Sequence, residues 1–134
     1  MRSIPTQKPT ELGYSGNRFE PCPSDKRNCV CSTDQDERFN VAPINCKQSP
    51  QATFDRLKRL LEEWEGYEVV TKTDSYLHVE FTSRWMRFTD DLEFQLVADQ
   101  GVIHVRSASR IGYSDLGANR DRVEKIRQHL AAEI

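Results

Sequence analysis

The feature that most constrains this chain is an alternation of apolar and polar residues that begins after Gly66 and runs to Ser109. Glu68 to Lys72 reads as one strand, Thr73-Asp74-Ser75 as a turn, and Tyr76 to Ser83 as its hairpin partner. Successive side chains of a strand leave opposite faces. Leu77, Val79 and Phe81 therefore point one way, and Tyr76, His78, Glu80 and Thr82 the other. Leu92, Phe94 and Leu96 repeat the pattern, with Glu93 and Gln95 opposite. Asp99-Gln100-Gly101 makes a tight turn into a fourth strand, Val102 to Ser109, where Ile103 and Val105 alternate with His104 and Arg106. Trp85 continues the inward row, so Trp85-Met86-Arg87-Phe88 reads as a core corner rather than an aromatic platform for nucleic acid.

A helical period flanks this region on both sides. Ser49 caps the first helix and Pro50 occupies its first position, where a missing N–H costs nothing. Phe54, Leu57, Leu61 and Trp64 share one face, with Leu60 beside them, and Gly66 supplies the stop. The last helix starts near Asn119 as its cap and carries Val123, Ile126, Leu130 and Ile134 on one face. The pattern predicts an α+β fold in the order helix, four strands, helix. It has one antiparallel sheet of about four to five strands, with both helices packed on its apolar face.

The opposite sheet face carries Tyr76, His78, Glu80, Glu93, Gln95, His104 and Arg106. It is either bathed in water or used for binding. Residues 1–48 are the only element left to cover it. They hold five of the six prolines and all four cysteines and show no sustained periodicity, so they read as an irregular arm packed on an α+β domain of residues 49–134. Within the arm, Phe39-Asn40-Val41-Ala42 could form a strand.

Composition narrows the function classes. At 134 residues, 37% hydrophobic and 30% charged, the chain suits one globular domain. A net charge of −2 gives no case for nucleic acid as a partner. Six bases against four acids in residues 101–134 hint at a basic C-terminal surface. No apolar run approaches the roughly 20 residues a membrane span needs. The first ten residues lack a secretory hydrophobic core. The expectation is a cytoplasmic protein if the chain is complete, or a periplasmic or membrane-anchored one if a leader was removed. A monomer or weak dimer is expected.

Cys22, Cys29, Cys31 and Cys46 are separated by six, one and fourteen residues. These spacings fit neither paired zinc ligands nor a Cys-x-x-Cys redox pair. Two readings stay open: four reduced thiols packing the arm, or a Cys22–Cys29 disulfide around a small proline-containing loop in an oxidising compartment.

The stretch from Arg106 to Arg120 leaves a strand, passes two glycines and enters a helix N-terminus. Arg106, Arg110 and Arg120, with that terminus, could hold a carboxylate or phosphate. They could equally pair with Glu80, Glu93, Asp90 and Asp91, with Asp115 bracing the loop. Asp91 and Glu93 share a strand face while Asp90 points away. An acidic turn entering a strand explains them better than a magnesium or calcium site, and no metal is expected. His78 or His104 with Glu80 could serve acid–base chemistry. Ser107, Ser109 and Ser114 are available nucleophiles, but nothing marks one as activated. No nucleophile elbow, phosphate loop or dinucleotide fingerprint is present, so no cofactor is expected.

Four segments carry a family resemblance: Cys22-Pro-Ser with Asn28-Cys29-Val; Tyr76-Leu-His-Val-Glu-Phe-Thr-Ser-Arg; Phe88-Thr-Asp-Asp-Leu-Glu-Phe; and Val102 through Arg120. In these the chain resembles the bacterial and plastid family known as domain of unknown function 1499, from about residue 12 to the last helix. The resemblance implies no particular activity. It directs attention to Cys22, Cys29, His78, Glu80, Asp91, Glu93, Arg106, Ser107, Ser109, Arg110, Tyr113, Asp115 and Asn119. It also implies export or lipid anchoring for many members, where Cys22 and Cys29 could be bridged. This chain departs from that pattern by adding Cys31 and Cys46 and by showing no leader.

These observations together predict a non-enzymatic binding module for an anionic small molecule or an acidic segment of a partner protein. It would use the polar sheet face and the Arg106–Arg120 loop, with His78, Glu80, Glu93, Arg106, Ser107, Ser109, Arg110, Tyr113, Asp115, Asn119 and Arg120 as site residues. The alternatives are a hydrolase or isomerase built on a histidine–carboxylate pair, and a structural or assembly protein.

Overall fold

The computed structural model describes residues 12–46, 49–85 and 88–132. Helix α1 spans Pro50–Glu63, with the Ser49 side chain accepting from the Ala52 N–H at its start. Gly66, at φ 92°, turns the chain into the sheet. Strands β5 (Tyr67–Lys72), β6 (Tyr76–Thr82), β7 (Thr89–Val97) and β8 (Val102–Ser109) form a continuous antiparallel meander, and helix α2 (Ala118–Ala132) closes the chain. The sequence predicted this order of elements.

The sheet is larger than the four to five strands expected from the periodicity. Strand β8 would be an exposed edge, presenting a row of unpaired backbone groups. The arm covers it with two short strands, β3 (Cys29–Cys31) and β4 (Ile44–Asn45), both antiparallel to β8. Among the described residues the main sheet therefore has six strands. A separate two-stranded ribbon, β1 (Tyr14–Ser15) and β2 (Arg18–Phe19), lies earlier in the arm. Segment 39–42 is not a strand; only Asn40 makes an isolated bridge, to Cys31.

Two apolar clusters sit on opposite sides of the sheet. The larger joins Phe54, Leu57 and Leu61 of α1 and Val123, Ile126 and Leu130 of α2 to the inward rows of β6, β7 and β8. Val30, Val41, Ile44 and Cys46 of the arm belong to it as well. The smaller, on the arm side, gathers Phe19, Cys22, Cys29, Cys31 and Phe39. The polar face is thus covered by the arm, and the water-bathed alternative is set aside.

Three further expectations need correction. Trp85 is not in the core row; it is 88% exposed, because β6 ends at Thr82 and the chain turns before Trp85. Asp90 and Asp91 are not a turn; both lie inside β7 and are buried. Asn119 is not the cap of α2. It sits within the first turn, fully buried, and the Asp115 carboxylate accepts from its backbone N–H at 3.0 Å. Ile134 lies outside the described residues.

Candidate functional site

The site is built on the arm-facing side of β6, β7 and β8. Antiparallel register sets His78 opposite Glu93, Glu80 opposite Asp91, and Glu93 opposite Arg106. Alternation sends Asp90 to the helix side, where Arg122 of α2 holds it at 2.9 Å. Asp91 goes to the arm side, where Arg110 reaches it from the end of β8. The Arg110 Nε donates to Asp91 Oδ2 at 2.7 Å. Its Nη2 donates to Asp91 Oδ1 at 2.9 Å and to Glu80 Oε2 at 2.7 Å. His78 Nε2 bonds Asp91 Oδ1 at 2.7 Å, with both side chains only 2% exposed.

These neighbours drive the two aspartates apart. Burial alone would raise Asp91, but hydrogen bonds from Arg110 and His78 outweigh it and hold its pKa below the ordinary value. For Asp90 burial wins over Arg122, and its pKa is raised. The Arg110 guanidinium, hydrogen-bonded to Asp91, is held more firmly protonated than usual.

Glu93 occupies the centre of the face at 1% exposure. Its Oε2 accepts from the Tyr76 hydroxyl at 2.5 Å and from the Gly13 N–H at 2.6 Å, so the arm is tied down onto it. Its Oε1 is buried with no hydrogen-bond partner among the described residues. Burial pushes its pKa up despite those donors. Tyr76 is raised for the same reason, and by its bond to Glu93.

Beside this network the arm and sheet enclose an open cavity of about 330 Å³. Arg106, Arg110, Asp91 and Ser109 contribute from the sheet, and Glu20, Lys26, Asn28 and Cys29 from the arm. Arg106 donates through Nε to the Glu20 carbonyl at 2.8 Å, which fixes its stem and aims the rest of the guanidinium. Among the described residues, neither Arg106 nor Lys26 makes an ion pair. Cys22 and Cys29 are joined as a disulfide with Cα atoms 5.7 Å apart, which closes the loop carrying Lys26. Cys31 and Cys46 are free and buried, and burial raises both thiols.

The Arg106–Arg120 stretch does not converge on one site. The Ser107 and Ser109 hydroxyls both bond the Asn119 side chain, at 2.6 Å and 3.0 Å. Asn119 also donates to the Asn28 carbonyl and to Asp115, so this group locks α2 to the arm. Asp115 braces the loop, as expected, by accepting from Gly117 N–H and Asn119 N–H. Arg120 donates to the carbonyls of Asn40 and Arg38, away from the Arg106 cavity. Tyr113 is exposed, and its carbonyl accepts from the Arg27 N–H. The loop is largely a clamp on arm residues 27 and 28.

The histidines are committed elsewhere. Ser32 Oγ accepts from the Val105 N–H at 2.8 Å, which leaves its hydrogen to donate to His104 Nδ1, also at 2.8 Å. Burial lowers the His104 pKa, in keeping with a neutral ring. His78, Glu80 and Asp91 bring one ligand atom each within 4.8 Å of one another, a spacing that could suit a cation. Arg110 already bonds both carboxylates, so its charge occupies the place a metal would take.

A family model described as Protein of unknown function (DUF1499) matches residues 18–130 of the 134. The chain belongs to this family. Comparison with curated proteins and with solved structures finds no match. The DUF1499 match includes both walls of the cavity, the arm loop from Glu20 to Cys29 as well as the strands. No helix among the described residues is long and apolar enough to cross a membrane.

Sequence reasoning located His78, Glu80, Glu93 and Arg106 on one face, left Arg110 in the loop beyond it, and missed the arm's contribution. Lys26 and Glu20 sit in an aperiodic segment, where no spacing signals which face they meet. The Ser32–His104 pair was missed for the same reason.

Proposed function

We propose that this chain is a binding module that holds an anionic small molecule, or a carboxylate from an acidic segment of a partner protein, between the arm and the sheet. The observation that supports this reading is a difference between two neighbouring arginines. Arg110 is neutralised by Asp91 and Glu80. Arg106 lines the same cavity with Lys26 and has no carboxylate partner among the described residues. Its register neighbour Glu93 is pushed toward the protonated form by burial, which weakens it as an offset, and Asp91, which also lines the cavity, is taken by Arg110. A partly buried guanidinium with an open side is a good anion anchor, because charge-assisted bonds strengthen where water is scarce.

The hydrolase or isomerase reading draws less support. His78 does not line the cavity, and Glu80 is held by Arg110.

The test is a titration of the protein with inorganic phosphate and with citrate, followed by calorimetry and backbone amide shifts. Binding is expected at low salt, with shifts in Lys26, Asn28 and Arg106. Arg106→Gln should weaken it by about tenfold or more, the worth of one charge-assisted hydrogen bond. Unchanged binding in a folded Arg106→Gln protein, or no binding of either anion, would sink the proposal.

A further inference from the structure

A second cavity, of about 430 Å³, opens on the helix side of the sheet and shares no lining residue with the first. It lies between the start of α1, the end of α2 and the β4 segment. Its volume falls within the roughly 300–1,000 Å³ typical of small-molecule sites. Most of its wall is apolar: Pro43, Ile44, Ala52, Leu130 and Ala131.

Two arginines reach this cavity and differ in their commitments. Arg127 is saturated: Nη1 donates to the Pro43 carbonyl at 2.7 Å, Nη2 to the Ala42 carbonyl at 2.6 Å, and Nε to Glu124 at 2.9 Å. Among the described residues Arg56 makes one long bond, from Nη2 to the Leu130 carbonyl at 3.3 Å, and its Nε is buried with no partner there. Among the described residues it has no acidic partner. A partly buried guanidinium held against an apolar wall with one weak bond leaves desolvation uncompensated. Ser49 adds a donor at the same mouth, since its Oγ accepts from the Ala52 N–H and its own hydrogen has no acceptor among the described residues.

We infer that this cavity is a binding site for a small amphipathic monocarboxylate, its head on Arg56 and its apolar body along Ile44, Ala52 and Leu130. The lining selects that class. Arg56 is the cation of this lining that is not already saturated, and with the Ser49 hydroxyl it satisfies a single carboxylate. A phosphate or dicarboxylate would press further strongly hydrated oxygens against Ile44 and Leu130. An uncharged alkyl ligand would leave Arg56 as it is.

The experiment titrates octanoate, octan-1-ol and inorganic phosphate into the full-length wild type, Arg56→Gln, Arg56→Lys and Arg106→Gln, read by calorimetry and amide shifts. Octanoate is expected to bind wild type and shift residues of both helix ends, with octanol and phosphate each about tenfold weaker or more at this site. Arg56→Gln should lose about tenfold or more, and Arg56→Lys less, because it keeps the charge but not the fork. Because the octanoate carboxylate can also enter the Arg106 cavity, the readout is the shifts at the two helix ends, which Arg106→Gln should leave as in wild type. The inference is overturned if octanoate does not shift the helix ends, if a folded Arg56→Gln shows the same shifts at the same concentrations, or if Arg106→Gln abolishes them. Octanol binding as tightly as octanoate would also overturn it. If Arg56→Gln does not fold, Arg56→Lys and the comparison among the three ligands decide.

Discussion

At the scale of single residues, one strand carries carboxylates with opposite fates. Asp91 is held charged by Arg110 and His78, while Glu93, two positions along the same face, is pushed up by burial. A buried pair loses most when one member is removed, since the other stays as an uncompensated charge. Arg110→Ala strands Asp91 and Glu80, and urea denaturation should record a loss of about 3–5 kcal/mol at neutral pH. A loss below 1 kcal/mol would mean that Asp91 finds another donor. Because Asp91 is lowered in the fold, its contribution is present above its unfolded value and lost as pH falls through the folded one. Arg110→Ala should therefore cost less in acid. Glu93 runs the other way. Its folded pKa lies above the ordinary 4.5 of a glutamate, so its contribution is complete below that value and lost as pH rises through the folded pKa. Glu93→Gln keeps an oxygen for Tyr76 and Gly13 but cannot ionise. Its stability relative to wild type should rise between acid and neutral pH, measured as paired urea midpoints. A flat difference would show that Glu93 ionises in the fold without penalty.

Elements with a strong period were legible in the sequence. Phe54, Leu57 and Leu61 gave α1, and the alternating rows of β6, β7 and β8 gave their pairing and the two faces. Gly66 was legible too, as a stop after α1. Its φ of 92° and the 2.9 Å approach of an added Cβ to Phe81 Cε1 explain why glycine is needed there. Gly66→Ala should cost at least about 1–2 kcal/mol from backbone strain alone, read from the thermal midpoint. A change within a few tenths would refute that role. Strands β3 and β4 were not legible. They have three and two residues, too few to show alternation, and pairing with β8 rather than local preference makes them strands. Trp85 misled because alternation was carried past the end of β6. The candidate site was half legible for the same reason: its sheet wall has a period and its arm wall has none.

At the scale of the whole molecule, the arm is a working part of the fold. It supplies Val30, Val41 and Ile44 to the main core, two strands to the sheet edge and a lid over His78, Asp91 and Glu93. Burying three such aliphatic side chains is worth about 1.5–3 kcal/mol each. Domains of this size have about 5–15 kcal/mol in total. Removing the arm also bares the edge of β8 and unties Glu93 from Gly13. A chain beginning at Ser49 should therefore lack a cooperative urea transition and expose apolar surface to a hydrophobic dye, although both helices and four strands remain in its sequence. Adding residues 12–46 as a separate peptide, oxidised so that Cys22 and Cys29 are joined, should restore the transition, because the missing contacts are made between segments and need no covalent link. A sharp transition of near full-length stability in the chain from Ser49 would show instead that residues 49–134 fold alone. The cavity proposed to bind anions would then be a seam between a finished domain and a detachable arm.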